Sequence, residues 1–299
     1  VSRNHSSLRS RTRDATLCLL AALALASAPL PHALASRAYE RGARGPRPGA
    51  LAPQTPEPKQ VKEEGERVQV IPAPKSVTKT GEAFALTKDV RVVLADPKSE
   101  DDRFAAQDFI DDVRETAGVA LKVGAKRGRG QILVGRLGDR RVTEAIRRID
   151  VARSVDPMPE EAYLLGVSPD EVVVAGYGAA GTFYGLQTLK QLVRGAGEGA
   201  YVPGVRVADW PSVRWRGLSD DISRGPVPTL EYFKRQIRTE AMFKMNMHSL
   251  YMEHVFGSAS HPLVPPEGGA LTPAEIRELV AYARRYHVEL VPQQQTFGH

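Results

Sequence analysis

From Arg214 onward the apolar runs alternate between strand and helix, and this leaves the chain few architectures. Trp215–Ser219 predicts a strand, and Thr229–Lys244 a helix with Thr229 as N-cap and Tyr232 and Phe233 on its apolar face. Met247–Met252 predicts a second strand, Thr272–Arg285 a second helix and Val288–Val291 a third strand. The second helix carries the clearest start signal: Thr272 as N-cap, Pro273 at the first helical position and Glu275 completing a capping box. Strands separated by helices of this length pair in parallel. A closed parallel barrel needs eight such units, and the chain supplies three strands before Pro292-Gln-Gln-Gln-Thr-Phe-Gly-His299. The expectation is an N-terminal fragment, with much of the parent's site beyond His299.

The basic balance of the 299 residues, a net charge of +6, points to nucleic acid only until it is located. Arg3, Arg9, Arg11, Arg13, Arg37, Arg41, Arg44 and Arg47 stand against Asp14 and Glu40 in the first fifty positions, and that difference is the whole excess. A nucleic-acid binder concentrates its charge on a folded face, so no nucleic-acid partner is expected. The head of the chain instead has the layout of a secretory signal. Arg9, Arg11 and Arg13 precede an apolar Thr16–Ala28, and Ala33-Leu34-Ala35 supplies a small-x-small cleavage pattern. That apolar run falls short of the roughly 20 residues needed to span a bilayer. Residues 1–35 are therefore read as a cleaved signal, and the protein as exported to a periplasmic or extracellular space without a membrane span. Cys18, the one cysteine, leaves with the signal, so disulfides and cysteine-based metal or redox chemistry are not expected.

Residues 36–66, rich in Pro, Gly and Arg, cannot bury enough apolar area to fold and read as a linker. Residues 67–209 form a small domain. Glu82–Leu86 and Val90–Leu94 predict paired strands. Asp101–Thr116 predicts a helix with Ala106, Phe109, Ile110 and Val113 on one face. Gln131–Val134 reads as a strand, Arg141–Ile149 as a helix, and Ala162–Val167 with Glu171–Ala175 as a hairpin about Ser168-Pro-Asp170. Gly178–Val193 is a helix and Val205–Val207 a last strand. The expected fold class is an α+β sandwich, its sheet mainly antiparallel, followed at residues 210–299 by the first three or so strands of a (β/α)8 TIM barrel.

In a parallel barrel the chemistry sits at the C-terminal ends of the strands, and here those ends are polar. Asp220, Asp221, Ser223 and Arg224 follow the first strand, Glu253 and His254 the second, and Gln293, Gln294, Gln295 and His299 the third. Carboxylates, a guanidinium, amides and imidazoles on one rim suit a polyhydroxylated substrate, and the guanidinium fork suits paired hydroxyls or a carboxylate. The alternative is that these are ordinary polar loop residues. His248 and Ser249, inside the second strand, are assigned hydrogen-bonding roles in the core. Glu253 and His254, as neighbours on a strand, point to opposite faces and do not form a ligand pair, so no metal and no cofactor is assigned. Asp170-Glu171 is read as turn chemistry.

These same segments carry a family likeness. Trp215-Arg-Gly-Leu-Ser-Asp-Asp-Ile-Ser-Arg224 resembles the first barrel strand of family 20 glycoside hydrolases, the β-N-acetylhexosaminidases. Lys244-Met-Asn246 resembles their Lys-x-Asn before the second strand, and Leu271 to Ala283 their second-helix signature. Val291-Pro-Gln-Gln-Gln-Thr-Phe-Gly-His299 resembles their Pro-Glu-x-x-x-Pro-Gly-His segment, and Gly176 to Leu192 the helix closing their small domain. The departures mark a divergent branch: Ser249-Leu-Tyr-Met-Glu-His254 replaces the usual His-x-His-x-x-Asp, Gln293 replaces Glu, and Phe297 replaces Pro. The resemblance implies substrate-assisted, retaining removal of a terminal N-acetylhexosamine, with a glycan or N-acetylamino-sugar glycoside as partner. The family's catalytic Asp-Glu pair follows a fourth strand and is not expected in this chain. Arg224 is implied to bind sugar hydroxyls with Asp221 orienting it, Glu253 and His254 to line the rim, and His299 to join the network behind the acid. Other glycosidases with a similar small domain, acting on N-acetylglucosamine or glucuronic acid, and a non-catalytic carbohydrate-binding protein are the alternative readings.

Overall fold

The computed structural model describes residues 68–125, 130–151, 158–295 and 297. The proposed signal, Cys18, the linker and His299 lie outside the described residues. In chain order the strands of the first region are β1 (Ser76–Lys79), β2 (Phe84–Ala85), β3 (Arg91–Leu94), β4 (Lys122–Val123), β5 (Gln131–Arg136), β6 (Tyr163–Val167), β7 (Glu171–Gly176), β8 (Tyr201–Val202) and β9 (Val205–Asp209). Its helices are α1 (Glu100–Ala117), α2 (Arg140–Ile149) and α3 (Ala179–Leu192). Then follow β10 (Gly217–Asp221), α4 (Leu230–Met242), β11 (Met247–Tyr251), α5 (Pro273–Arg285) and β12 (Glu289–Gln293).

Seven strands form one sheet in the order β1-β9-β6-β7-β5-β3-β4. The β1–β9, β9–β6 and β6–β7 pairs are antiparallel, whereas β7–β5, β5–β3 and β3–β4 are parallel. The sheet is therefore mixed, not mainly antiparallel. The expected pairing of Glu82–Leu86 with Val90–Leu94 is also corrected: β2 pairs with β8, and β3 lies between β4 and β5. The reason is legible in Val92-Val93-Leu94, which is buried on both faces. Such a run suits an interior strand covered on two sides, and the helix that follows carries the chain over to a parallel neighbour.

Alternate residues of this sheet feed two layers. Val92, Leu94, Ile132, Val134, Leu165, Val172, Val174 and Val207 pack with α1 and α3, while Val93, Leu133, Leu164, Val173, Ala175 and Ala208 pack with α2. Local sequence sets the helices. Ser99 caps α1 by accepting from the Asp102 N–H, Glu100, Asp101 and Asp102 occupy the first turn, and Gly118 ends it at φ 69°. α3 is buried on nearly every side, because it lies between the sheet and the C-terminal units. The core on its side runs without a break into Ile222, Phe233, Ile237, Leu250, Leu279, Tyr286 and Val288. Tyr286 meets Phe104 edge-on at 4.9 Å and Phe183 at 6.0 Å, joining α1 and α3 to the end of α5.

β10, β11 and β12 form a separate parallel sheet, in register Gly217↔Met247↔Glu289 through Asp221↔Tyr251↔Gln293. The capping box at Thr272–Glu275 is formed as expected. Two strands start later than the sequence suggested: β10 at Gly217 and β12 at Glu289. Arg216 precedes β10 because its side chain and backbone are committed to Glu161, Lys244 and Asn246. Among the described residues, no helix is long and apolar enough to cross a membrane.

Candidate functional site

The shifted strand bounds move the polar groups. Asp220 and Asp221 are the last two residues of β10, and Gln293 is the last of β12. Strand alternation then separates them. Asp220 turns toward α4, where Gln236 donates to it at 3.4 Å. Asp221 shares the opposite face with its register partners Tyr251 and Gln293.

On that face Arg224 and Glu253 meet as a two-pronged pair. Arg224 Nη1 donates to Glu253 Oε2 at 3.0 Å and Nη2 to Oε1 at 2.7 Å. Tyr251 OH donates to the same Oε1 at 2.7 Å, and this bond to an anion raises the phenol above its ordinary pKa. The Glu253 side chain is 4 % exposed and the Arg224 side chain 55 %. The carboxylate is thus buried, and one side of the guanidinium faces solvent. Glu253 reaches this position from a turn, at φ 44°, a conformation uncommon outside glycine and found preferentially at functional sites.

Three expectations are corrected. Asp221 does not orient Arg224: its Oδ1 accepts from the Ser223 N–H at 3.0 Å and the Ser223 hydroxyl at 2.6 Å, closing an Asx turn. Those two bonds hold the Asp221 carboxyl below its ordinary pKa. Glu253 orients the guanidinium instead. Second, Glu253 and His254 do not point to opposite strand faces, because β11 ends at Tyr251 and both lie in the turn beyond it; His254 Nδ1 is 3.8 Å from Glu253 Oε2. Third, Glu253 does not simply line the rim, since its carboxylate lies beneath Arg224. Among the described residues, no group of three or more His, Cys, Asp or Glu is arranged to hold a metal ion.

Behind the pair the floor is amide and hydroxyl. Gln293 Nε2 donates to Ser249 Oγ at 2.7 Å, and Ser249 donates to the Val291 carbonyl at 3.1 Å. Gln294 donates to the Glu253 carbonyl, tying the end of β12 to the turn that carries the carboxylate. His248 faces the other way, buried, with Nδ1 2.7 Å from Glu240 Oε1 of α4. His248 and Ser249 are thus core hydrogen-bonding groups, as read from the sequence. Tyr251 was not singled out from the sequence; its place two residues before Glu253 on the Asp221 face was the available signal.

The Arg216 and Lys244–Asn246 motifs act elsewhere. Arg216 Nη2 donates to Glu161 Oε1 at 2.8 Å and Nη1 to Oε2 at 3.2 Å, and Asn246 Nδ2 donates to Glu161 Oε1 at 3.0 Å. Lys244 Nζ, buried, donates to Asp209 Oδ2 and to Tyr163 OH, each at 2.8 Å. Tyr163 OH also lies 2.6 Å from Thr188 Oγ1 and donates to Asp209 at 2.9 Å. Burial pulls the Lys244 ammonium below its ordinary pKa, with Asp209 opposing, and pushes the Tyr163 phenol up. These residues fasten β10 and β11 to the first region, at the ends of the strands opposite to Arg224 and Glu253.

The C-terminal ends of the three strands thus carry a solvent-facing guanidinium held by a buried carboxylate, over a floor of amides and hydroxyls. Residues 67–210 match the profile of glycosyl hydrolase family 20, domain 2. The sequence is 24% identical over 265 residues to a beta-hexosaminidase of Porphyromonas gingivalis, a match covering 80% of this chain and 32% of that protein. It is 31% identical over 190 residues to a beta-N-acetylhexosaminidase of Cellulomonas fimi, covering 56% of this chain and 38% of the relative. Among solved structures, the beta-N-acetylhexosaminidase of Streptomyces coelicolor aligns with a TM-score of 0.61 at 27% identity, over 75% of this chain and 45% of that one. The N-acetyl-beta-hexosaminidase of Streptomyces plicatus aligns with a TM-score of 0.60 at 25% identity, over 77% and 46%. These matches support membership of glycoside hydrolase family 20, whose domain 2 is matched by residues 67–210. The chain spans about a third of the length of these curated relatives.

Proposed function

We propose that this chain is part of an exported β-N-acetylhexosaminidase, in which β10–α4–β11–α5–β12 begin a (β/α)8 barrel and Arg224 binds the non-reducing sugar. The observation that carries this reading is the Arg224–Glu253 pair at the C-terminal ends of two parallel strands, where barrel enzymes place their chemistry. The beta-hexosaminidase names of the relatives support the substrate class.

In the proposed reaction the substrate's own acetamido group attacks the anomeric carbon, and the sugar leaves with retention after water opens the intermediate. An Asp orients the acetamide and a Glu protonates the leaving oxygen. This reading puts that pair after a fourth strand, so residues 210–299 contribute binding and not proton transfer. Arg224 meets this task because Glu253 fixes the guanidinium plane and leaves a side of it open to hydroxyls. His254, half-exposed beside Glu253, lines the same rim. His299 completes the network behind the acid.

The test is saccharide binding by the chain itself, read by calorimetry or ligand-observed NMR. N-acetylglucosamine is expected to bind and glucose to bind less well. Binding that Arg224→Ala leaves unchanged refutes the assignment of the sugar site. Export is tested separately by fusing residues 1–40 to a reporter that is active only outside the cytoplasm, and an inactive reporter removes that part of the reading.

A further inference from the structure

The interior of a closed parallel barrel is ordinarily filled by branched apolar side chains. The face of β10, β11 and β12 turned away from α4 is polar instead. Strand alternation puts Ser219, Ser249 and Val291 in one layer of that face. Asp221, Tyr251 and Gln293 form the next layer, nearer the C-terminal ends. Tyr251 stands on β11, with β10 on one side and β12 on the other. Extending the parallel sheet beyond either neighbour leaves these surroundings as they are.

The hydrogen bonds of Tyr251 have a fixed direction. An ionised carboxylate only accepts, so both groups on Glu253 Oε1 are donors: Arg224 Nη2 at 2.7 Å and Tyr251 OH at 2.7 Å. With its proton held there, the phenol has only oxygen lone pairs to offer a third group. The Gln295 amide donates to one of them. Arg224 is the opposite case, since a guanidinium only donates. A donor and an acceptor thus stand side by side on one carboxylate oxygen. With an angle of about 110–120° at that oxygen, Nη2 and the phenol oxygen lie roughly 4.5 Å apart, and two adjacent sugar oxygens about 2.8 Å apart close a five-membered ring of hydrogen bonds with them.

We propose that Tyr251 is a specificity-determining residue, its oxygen accepting the proton of the sugar hydroxyl next to the one that Arg224 binds. This deepens the reading of Arg224 as a sugar-binding group and rests on it. The ligand class is a sugar end with two free neighbouring hydroxyls, one of which must donate. In a 2-acetamido hexopyranoside linked through carbon 1, only the hydroxyls on carbons 3 and 4 form such a pair. A fluorine or an ether oxygen in the donating position faces the phenol lone pair with no proton between them.

The experiment measures binding to the whole chain by ligand-observed NMR, for the wild type and Tyr251→Phe. The probes are the methyl β-glycoside of N-acetylglucosamine and its 3-, 4- and 6-deoxyfluoro analogues. Phe keeps the ring of this half-buried residue, and a thermal melt checks the fold. In the wild type the 3-fluoro and 4-fluoro compounds are each expected to bind about fivefold more weakly than the parent, the scale of one hydrogen bond. Tyr251→Phe is expected to bring one of the two to within about twofold of the parent and to leave the loss at the other, because the two contacts are separate. The 6-fluoro compound follows the parent in both proteins. If Tyr251→Phe weakens all four sugars by one factor, the phenol only steadies Glu253. That result, or ratios that the variant leaves unmoved, overturns the proposal while the Arg224 reading stands. A wild type that binds none of the four overturns both.

Discussion

Replacing Lys244 by Met tests whether the buried charge beneath β11 holds the two regions together. The two side chains are unbranched and similar in volume, and both carry the same strain at φ 60°, so the backbone contribution cancels. What changes is the ammonium, which donates to Asp209 and Tyr163 at 2.8 Å each. Removing one member of a buried ion pair costs about 3–5 kcal/mol, because the other charge stays buried. Asp209 keeps some support: Oδ1 accepts from the N–H groups of Lys75 at 3.2 Å and Trp210 at 3.0 Å, and Oδ2 from Tyr163 at 2.9 Å. The lower end, about 3 kcal/mol, is therefore expected. For a body of this size roughly 2–4 °C accompanies each kcal/mol, giving a fall in Tm of about 6–12 °C. Asp209→Asn removes the stranded charge, so the double variant should be less destabilised than the sum of the singles by about 1.5–2 kcal/mol. Thermal and urea unfolding of the four proteins measure this cycle. Single losses below about 0.5 kcal/mol, or strictly additive ones, refute the argument that this charge pair joins the regions.

Three further outcomes follow from the geometry. Arg224→Lys keeps the charge but loses the fork on Glu253, so it should weaken N-acetylglucosamine binding nearly as much as Arg224→Ala, with little change in Tm; wild-type affinity in the Lys variant excludes a clamp role. His287, near Phe183 at 5.3 Å, is held below its ordinary pKa by burial. Its contribution is complete above the unfolded value near 6.5 and is lost as pH falls from there through the lower folded value, by up to about 1.4 kcal/mol per pH unit. His287→Asn, which tolerates the residue's φ of 58°, should flatten Tm against pH below about 6.5, and an unchanged slope excludes His287 as its source. Gly217→Ala should separate β10 from β11 at the Met247 carbonyl and lower Tm by more than a surface substitution, whose effect lies within about 0.5 kcal/mol; a neutral result would show that the strands yield at that point.

Periodicity and capping chemistry carried the elements. The i, i+3, i+4 stripe of α1, the Thr272-Pro-Ala-Glu275 box of α5 and the polar residues closing β10, β11 and β12 are local patterns, and local patterns are what a sequence displays. The partners of β3 are not its neighbour in sequence, because chain adjacency does not decide adjacency in the sheet. The doubly buried Val92-Val93-Leu94 held the correct signal for an interior parallel strand. At the rim, residue types were legible but their pairing was not. Asp221 and Glu253 are equally plausible anchors for Arg224 in the sequence. Ser223, two residues on, closes a local turn with the first, and the turn after Tyr251 brings the second beneath the guanidinium.

The sequence alone thus determined the strand–helix order, the helix caps and the gathering of polar groups after each C-terminal strand, because each depends on residues within a few positions of one another. Only the tertiary structure decided that Glu161, Asp209 and Tyr163 hold the starts of β10 and β11. Those contacts span 35 to 85 positions of chain. Nothing in the spacing of an Arg-Gly or a Lys-x-Asn reveals which distant carboxylate the fold will bring to it.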